Sequence, residues 1–176
     1  MVEYGISIIV LCVLSYQDFK QRQVSVFLLI ALFILFSIVA YQVEISWKEM
    51  VKNFVINAGF VAIQIVVVKI YFSLRNKRNE RILDTYIGKG DLFFFIVSCL
   101  AFSVAWFIPF YIISLIIALL STIISNGLGK AKTVEIPLAG IMSLVMVVSI
   151  IIKLVHNSFS FYDDSYLLQL MNISNQ

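Results

Sequence analysis

Two aspartates, Asp18 and Asp91, stand at the edges of long apolar runs in a chain of 176 residues. A charged group at the margin of hydrocarbon is costly, and by default it marks function. Two carboxyl groups brought within a few ångströms of each other cannot both ionise comfortably, so such a pair holds one proton between them. Hydrolysis of a peptide bond can use that state. The ionised member draws a proton from water, which attacks the carbonyl carbon, while the protonated member polarises the carbonyl oxygen and later helps protonate the leaving amine. This chemistry needs neither histidine nor metal, and the chain's single histidine, His156, reads as an interfacial residue. Cys12 and Cys99 make no C-x-x-C pair and read as small buried hydrophobes. No cofactor is called for.

Asp91 lies in the segment YIGKGDLFFF, directly after Gly88, Lys89 and Gly90. Without side chains, the two glycines allow close, strand-like approach of backbone, so that a peptide could lie beside the loop and bond to its main chain. G-x-G-D is a weak pattern taken alone, and a helix amino-terminal cap accounts for Asp91 equally well. The pattern gains force only if the chain's elements bring Asp18 to the same place.

Those elements read as membrane helices. Hydrophobic residues make up 61% of the chain and charged residues 13%, against roughly 45–50% and 25% in soluble domains. Mean hydropathy is +1.00, too high for a soluble core to absorb, so the solvent for most side chains is lipid. Crossing hydrocarbon takes about 17–25 apolar residues, and six runs of that kind are expected at about 2–19, 24–42, 53–73, 91–107, 109–126 and 135–155. The fourth and fifth divide one long run at Pro109, where WFIPFY reads as a turn. The first run has Glu3 and no basic residue at its start, which favours a retained helix over a cleaved signal peptide. The expected class is all-α and polytopic, with a six-helix membrane domain over 1–155 and an interfacial tail over 156–176.

Lys and Arg in alternate connections divide nine against three, which places the richer set in the cytoplasm and both termini outside. Asp18 then ends the first helix and Asp91 begins the fourth, both on the cytoplasmic side. Lys69 snorkels from the third helix, and Gln64 there is a packing residue. Arg22 reads as an anchor on lipid phosphates or as an orienting partner of Asp18.

Three segments resemble the type IV prepilin peptidases, a family of membrane aspartic proteases. GKGD, Gly88 to Asp91, is similar to the family's G-x-G-D motif. DFKQRQVS, Asp18 to Ser25, resembles its first-aspartate region, D-x-x-x-R-x-I-P-N, with Asp18 and Arg22 matching, Val24 in place of Ile and Ser25 in place of proline. EIPLAG, Glu135 to Gly140, is similar to I-P-F-G-P, with departures at Leu138 and Ala139. The resemblance implies a catalytic pair, Asp18 and Asp91, an active-site loop of Gly88, Lys89 and Gly90, and supporting roles for Arg22, Glu135 and Pro137. It also implies cleavage of basic leader peptides from prepilins or pseudopilins, as in pilus assembly and secretion, at the cytoplasmic face of a prokaryotic plasma membrane.

Lysine is often found shortly after the second aspartate in that family, whereas here DLFFF follows. The first two helices are separated by only a few residues, leaving no room for the cysteine-bearing loop of the methylating members, so a short, peptidase-only form is implied. Glu80 and Asp84 beside the loop would attract a basic leader, while Arg75, Lys77, Arg78 and Arg81 fit anchoring at anionic headgroups. Two other classes stay open. One is a non-catalytic protein that binds pilin-like helices. The other is a small proton-coupled transporter component, which would favour acids at mid-membrane and repeated halves with broken helices.

Overall fold

The computed structural model describes residues 2–43, 46–75, 88–127, 137–156, 160–162 and 164. Among these residues it is all helix: α1 (Val2–Gln21), α2 (Val26–Gln42), α3 (Trp47–Arg75), α4 (Lys89–Ala101), α5 (Val104–Gly127) and α6 (Leu138–Val155). Four helices are long and apolar enough to cross a membrane, namely α1, α3, α5 and α6, whereas α2 and α4 are shorter apolar helices. The 13 residues of α4 rise only about 20 Å.

Large apolar side chains cover the outside of the bundle, including Phe27, Ile63, Val67, Ile112, Leu120 and Val148. Exposed apolar faces on this scale match a lipid solvent, where helices suit the backbone because they satisfy their own hydrogen bonds. Hydroxyl side chains follow the same rule. Ser7, Ser37, Ser114, Thr122, Ser143 and Ser149 each donate to the carbonyl four residues earlier, so they can sit in apolar surroundings without an orphaned hydroxyl.

The helices pack in a closed circuit. The first helix lies against α6 and α2, α2 against α4, α4 against α3, α3 against α5, and α5 against α6, with α4 also touching α5 and α6. Fully buried Leu11 and Leu14 of α1, Leu32 of α2, Phe94 of α4, Phe107 of α5 and Met142 of α6 form the core. The carboxyl end of α1 and the amino ends of α4 and α6 gather at one end of this bundle.

The expected division of the long fourth run is wrong in position. Pro109 lies inside α5, and the chain breaks at Phe102 and Ser103, where Phe102 is extended at φ −137°, ψ 149°. Pro109 falls in the second turn of that helix, where its missing N–H leaves the Ala105 carbonyl without its helical donor. The break is stabilised from three sides. The Ser103 amide donates to the Phe161 carbonyl at 2.8 Å, and the Ser103 carbonyl accepts from the Phe107 amide at 2.9 Å. The Asn57 side chain of α3 donates to the carbonyls of Cys99 at 3.1 Å and Phe102 at 3.0 Å, covering acceptors that the end of α4 would otherwise leave open. Ser103 also donates its hydroxyl to the Asp164 carboxylate.

Part of the segment expected as an interfacial tail therefore packs onto the bundle. Phe161 is buried against Phe102, with ring centroids 5.0 Å apart, and the Tyr162 hydroxyl donates to the Phe36 carbonyl at 3.3 Å. Ser103 directly before an apolar run was a legible helix-start signal, but proline is the louder one.

Asn57 is 1% exposed, and truncating it would strand two carbonyls in an apolar setting. Asn57→Ala is expected to cost about 2–3 kcal/mol of stability, read as a lowered unfolding temperature in detergent. A variant that melts like the parent would show that the break at Phe102 does not depend on this side chain.

Candidate active site

Asp18 lies in the last turn of α1 and is 5% exposed. That is a poor place for an anion, since the carboxyl end of a helix carries partial negative charge. The helix stops just beyond it, where Arg22 takes a positive φ of 55° and its amide bonds back to the Asp18 carbonyl at 3.0 Å. This is the left-handed ending that glycine usually provides. The chain then turns through Gln23, Val24 and Ser25 into α2.

Asp91 sits in the first turn of α4, where an acid meets the favourable end of a helix. Gly88 precedes that helix in an extended conformation, φ −63°, ψ 142°, and its carbonyl accepts from the Leu92 amide at 3.2 Å. Its own amide faces the Asp91 carboxylate. A Cβ on Gly88 would lie 3.1 Å from Asp91 Oδ2, so the missing side chain leaves that oxygen room.

Gly90 does something other than the sequence suggested. It is helical, and a Cβ there would meet the Val24 side chain at 2.9 Å. Its bareness lets the loop after α1 close on the start of α4, which draws the two aspartate-bearing segments together.

The third partner is the amino end of α6. Pro137 occupies the cap position and supplies no side-chain hydrogen bond, leaving the first amides of the helix in need of acceptors. The Ala139 amide donates to Asp91 Oδ1 at 2.9 Å, and the Gly140 amide donates to Asp18 Oδ2 at 2.6 Å. Bonded to successive amides of one turn, the two carboxylates are held less than about 9 Å apart by bond geometry alone. They are close enough for the Asp18 charge to act on Asp91, and the Arg22 charge acts on Asp18. A Cβ on Gly140 would fall 3.0 Å from Asp18 Oδ2 and 3.4 Å from the Phe19 ring, so only a bare residue lets α1 come this near.

Asp18, Asp91, Gly88, Gly90, Arg22 and Pro137 thus gather at one end of the bundle, and Lys89 opens α4. Glu135 lies outside the described residues, as do the acidic and basic side chains expected between α3 and α4. Ala139 and Gly140, the residues that hold both carboxylates, were not singled out from sequence. The small pair Ala139-Gly140, one residue beyond Ile136-Pro137 at the start of a helix, was the available signal, since small side chains leave the backbone open to approach. The arrangement can bind and activate a water between two acids.

The contact between Gly90 and Val24 generates a prediction. Gly90→Ala is expected to destabilise by about 1–3 kcal/mol through overpacking, and Val24→Gly in the same chain should restore part of the loss, because it removes the atoms met. Thermal unfolding of the two single variants and the double variant reads this coupling. Strictly additive losses would place the clash elsewhere.

The comparisons bear on the same residues. Residues 5–124 match the model of the type IV leader peptidase family, a stretch that includes both aspartates and all of α2, α3 and α4. No curated protein and no solved structure matches the chain. A match over more than half the chain, together with multiple membrane-length apolar helices, identifies a multi-pass membrane peptidase of a kind that in general uses aspartates; the chain belongs to the type IV leader peptidase family.

Proposed function

We propose that this protein is an aspartic endopeptidase that removes the short basic leader from type IV prepilins or pilin-like precursors, with Asp18 and Asp91 as its catalytic pair. The observation that carries the reading is the convergence of both carboxylates on adjacent amides of α6. Each acid accepts from an amide of α6 through one oxygen, which leaves the lone pairs of the other oxygen to take part in holding water and the proton the pair shares. Water attacks the scissile carbonyl as the ionised acid takes its proton. The protonated acid donates to the carbonyl oxygen, and collapse of the tetrahedral species releases the amine with a proton returned from the pair.

In this proposal all six helices span the membrane, with both termini outside and the pair facing the cytoplasm of a prokaryotic cell, as the excess of Lys and Arg on that side favours. Residues 1–155 form the peptidase domain and the remainder an outer-face tail. The chain works as a peptidase without methylating its product. The apolar helix of the precursor approaches sideways from the bilayer, and its basic leader reaches the pair from the cytoplasm.

A second reading has one observation in its favour: carboxylates that cap α6 serve a structural purpose whether or not they cut anything. In that case the protein binds pilin-like helices without cleaving them. Purified protein mixed with a pilin precursor separates the two readings by gel shift. The expected result is cleavage by the parent chain and loss of at least about a thousand-fold of it in Asp18→Asn and in Asp91→Asn. Cleavage retained in both variants would end the catalytic assignment.

The shared proton also gives the reaction a pH dependence. Raising the pH strips that proton and leaves two carboxylates with no acid to polarise the carbonyl, so cleavage should fall on the alkaline side. A rate still rising above about pH 9 would show that no protonated carboxyl takes part.

A further inference from the structure

We propose that the first turn of α6 is a charge clamp for the pair, in which the Ala139 and Gly140 amides set the spacing of Asp91 and Asp18 and stabilise the negative charge the two acids share. The inference rests on the catalytic reading above for its consequence in cleavage, but the clamp itself is a property of the fold. It makes Ala139 and Gly140 positioning residues, contributed by a helix that lies beyond the stretch matched to the family.

Three observations carry it. The two acids come from different helices, yet their bonds end on neighbouring nitrogens of one backbone, so a shift or rotation of α6 moves both donors together. Pro137 offers that helix no side-chain cap, and the carboxylates take the place of one. Asp18 is almost fully buried at the unfavourable end of α1, where the opposing positive end of α6 and the Arg22 charge offset part of the cost of burial. The Arg22 charge acts on Asp18, and the Asp18 charge acts on Asp91.

Size is part of the device. With 3.0 Å between Asp18 Oδ2 and the place a Gly140 Cβ would occupy, a methyl group there pushes the carboxylate off its amide. At residue 139 the methyl is accommodated and only the N–H matters, so proline, which is tolerated in a first helical turn, deletes the donor to Asp91.

The test uses the full chain in detergent with carboxyl-labelled aspartate, following the titration of Asp18 and Asp91 by carbon NMR, with assignment from Asp18→Asn and Asp91→Asn. In Gly140→Ala and Ala139→Pro the affected titration is expected to move to higher pH by about one unit, because an anion loses a donor. The pH range of cleavage should follow it, with the maximal rate down at least about ten-fold. A cap with only a structural role would lower the melting temperature and leave both titrations in place, and that result in folded variants overturns the clamp. If neither substituted chain folds, replacing Ala139 by lactic acid swaps the N–H for oxygen and keeps the methyl, and a titration of Asp91 that then stays in place overturns the clamp in the same way. Parent protein that cuts no precursor while the titrations move would sink the peptidase proposal and leave the clamp standing. Cleavage that needs both aspartates but is indifferent to residues 139 and 140 would do the reverse.

Discussion

Two amides at the start of one helix hold two carboxylates from two others, and much of the chain's design can be understood as making that meeting possible. A carboxylate in lipid surroundings is stable only where donors and opposing charge replace the water it has lost. Asp91 would find some of this on its own, at the favourable end of α4. Asp18 would not, because it ends α1 and points its charge into the wrong pole of its helix. The amino end of α6 supplies what α1 cannot, and Gly140 is bare because Asp18 has to reach the backbone behind it.

Close approach is the recurring condition. Gly90 accepts the Val24 side chain, Gly88 leaves space at Asp91, and Gly140 leaves space at Asp18. None of these glycines adopts a left-handed conformation. Among the described non-glycine residues the left-handed one is Arg22, a position at which a cost of about 1–2 kcal/mol is expected and where the turn keeps Asp18 in the last coil of α1. Glycine here serves proximity more than flexibility. That differs from the peptide-binding strand that a pair of glycines in a loop suggests.

The far end of the bundle solves a different problem. A short α4 must stop inside apolar surroundings, and the carbonyls at its end need donors. Asn57 reaches across from α3 to supply them, while Phe161 and Asp164 close over the break from the tail. The aromatic cluster of Phe102, Phe110 and Phe161 then packs what the hydrogen bonds have fixed. A helix only 13 residues long can in this way keep Asp91 at one end of the bundle while its other end stays satisfied.

The all-helical class, the lipid solvent and the two aspartates at the margins of apolar runs were legible along the chain, since each depends on local composition or on short motifs. Helix ends were legible to within a few residues except at the start of α3, which begins at Trp47 where about 53 was expected, and at Phe102, where the true stop is set by Asn57 and Phe161, both far away in sequence. The partners of Asp18 and Asp91 were not legible, because an amide donor carries no signature in residue type: every residue but proline has one. Ala139 and Gly140 became visible only when α6 was set against α1 and α4, where the packing of three helices decides which of the chain's many backbone N–H groups faces an acid.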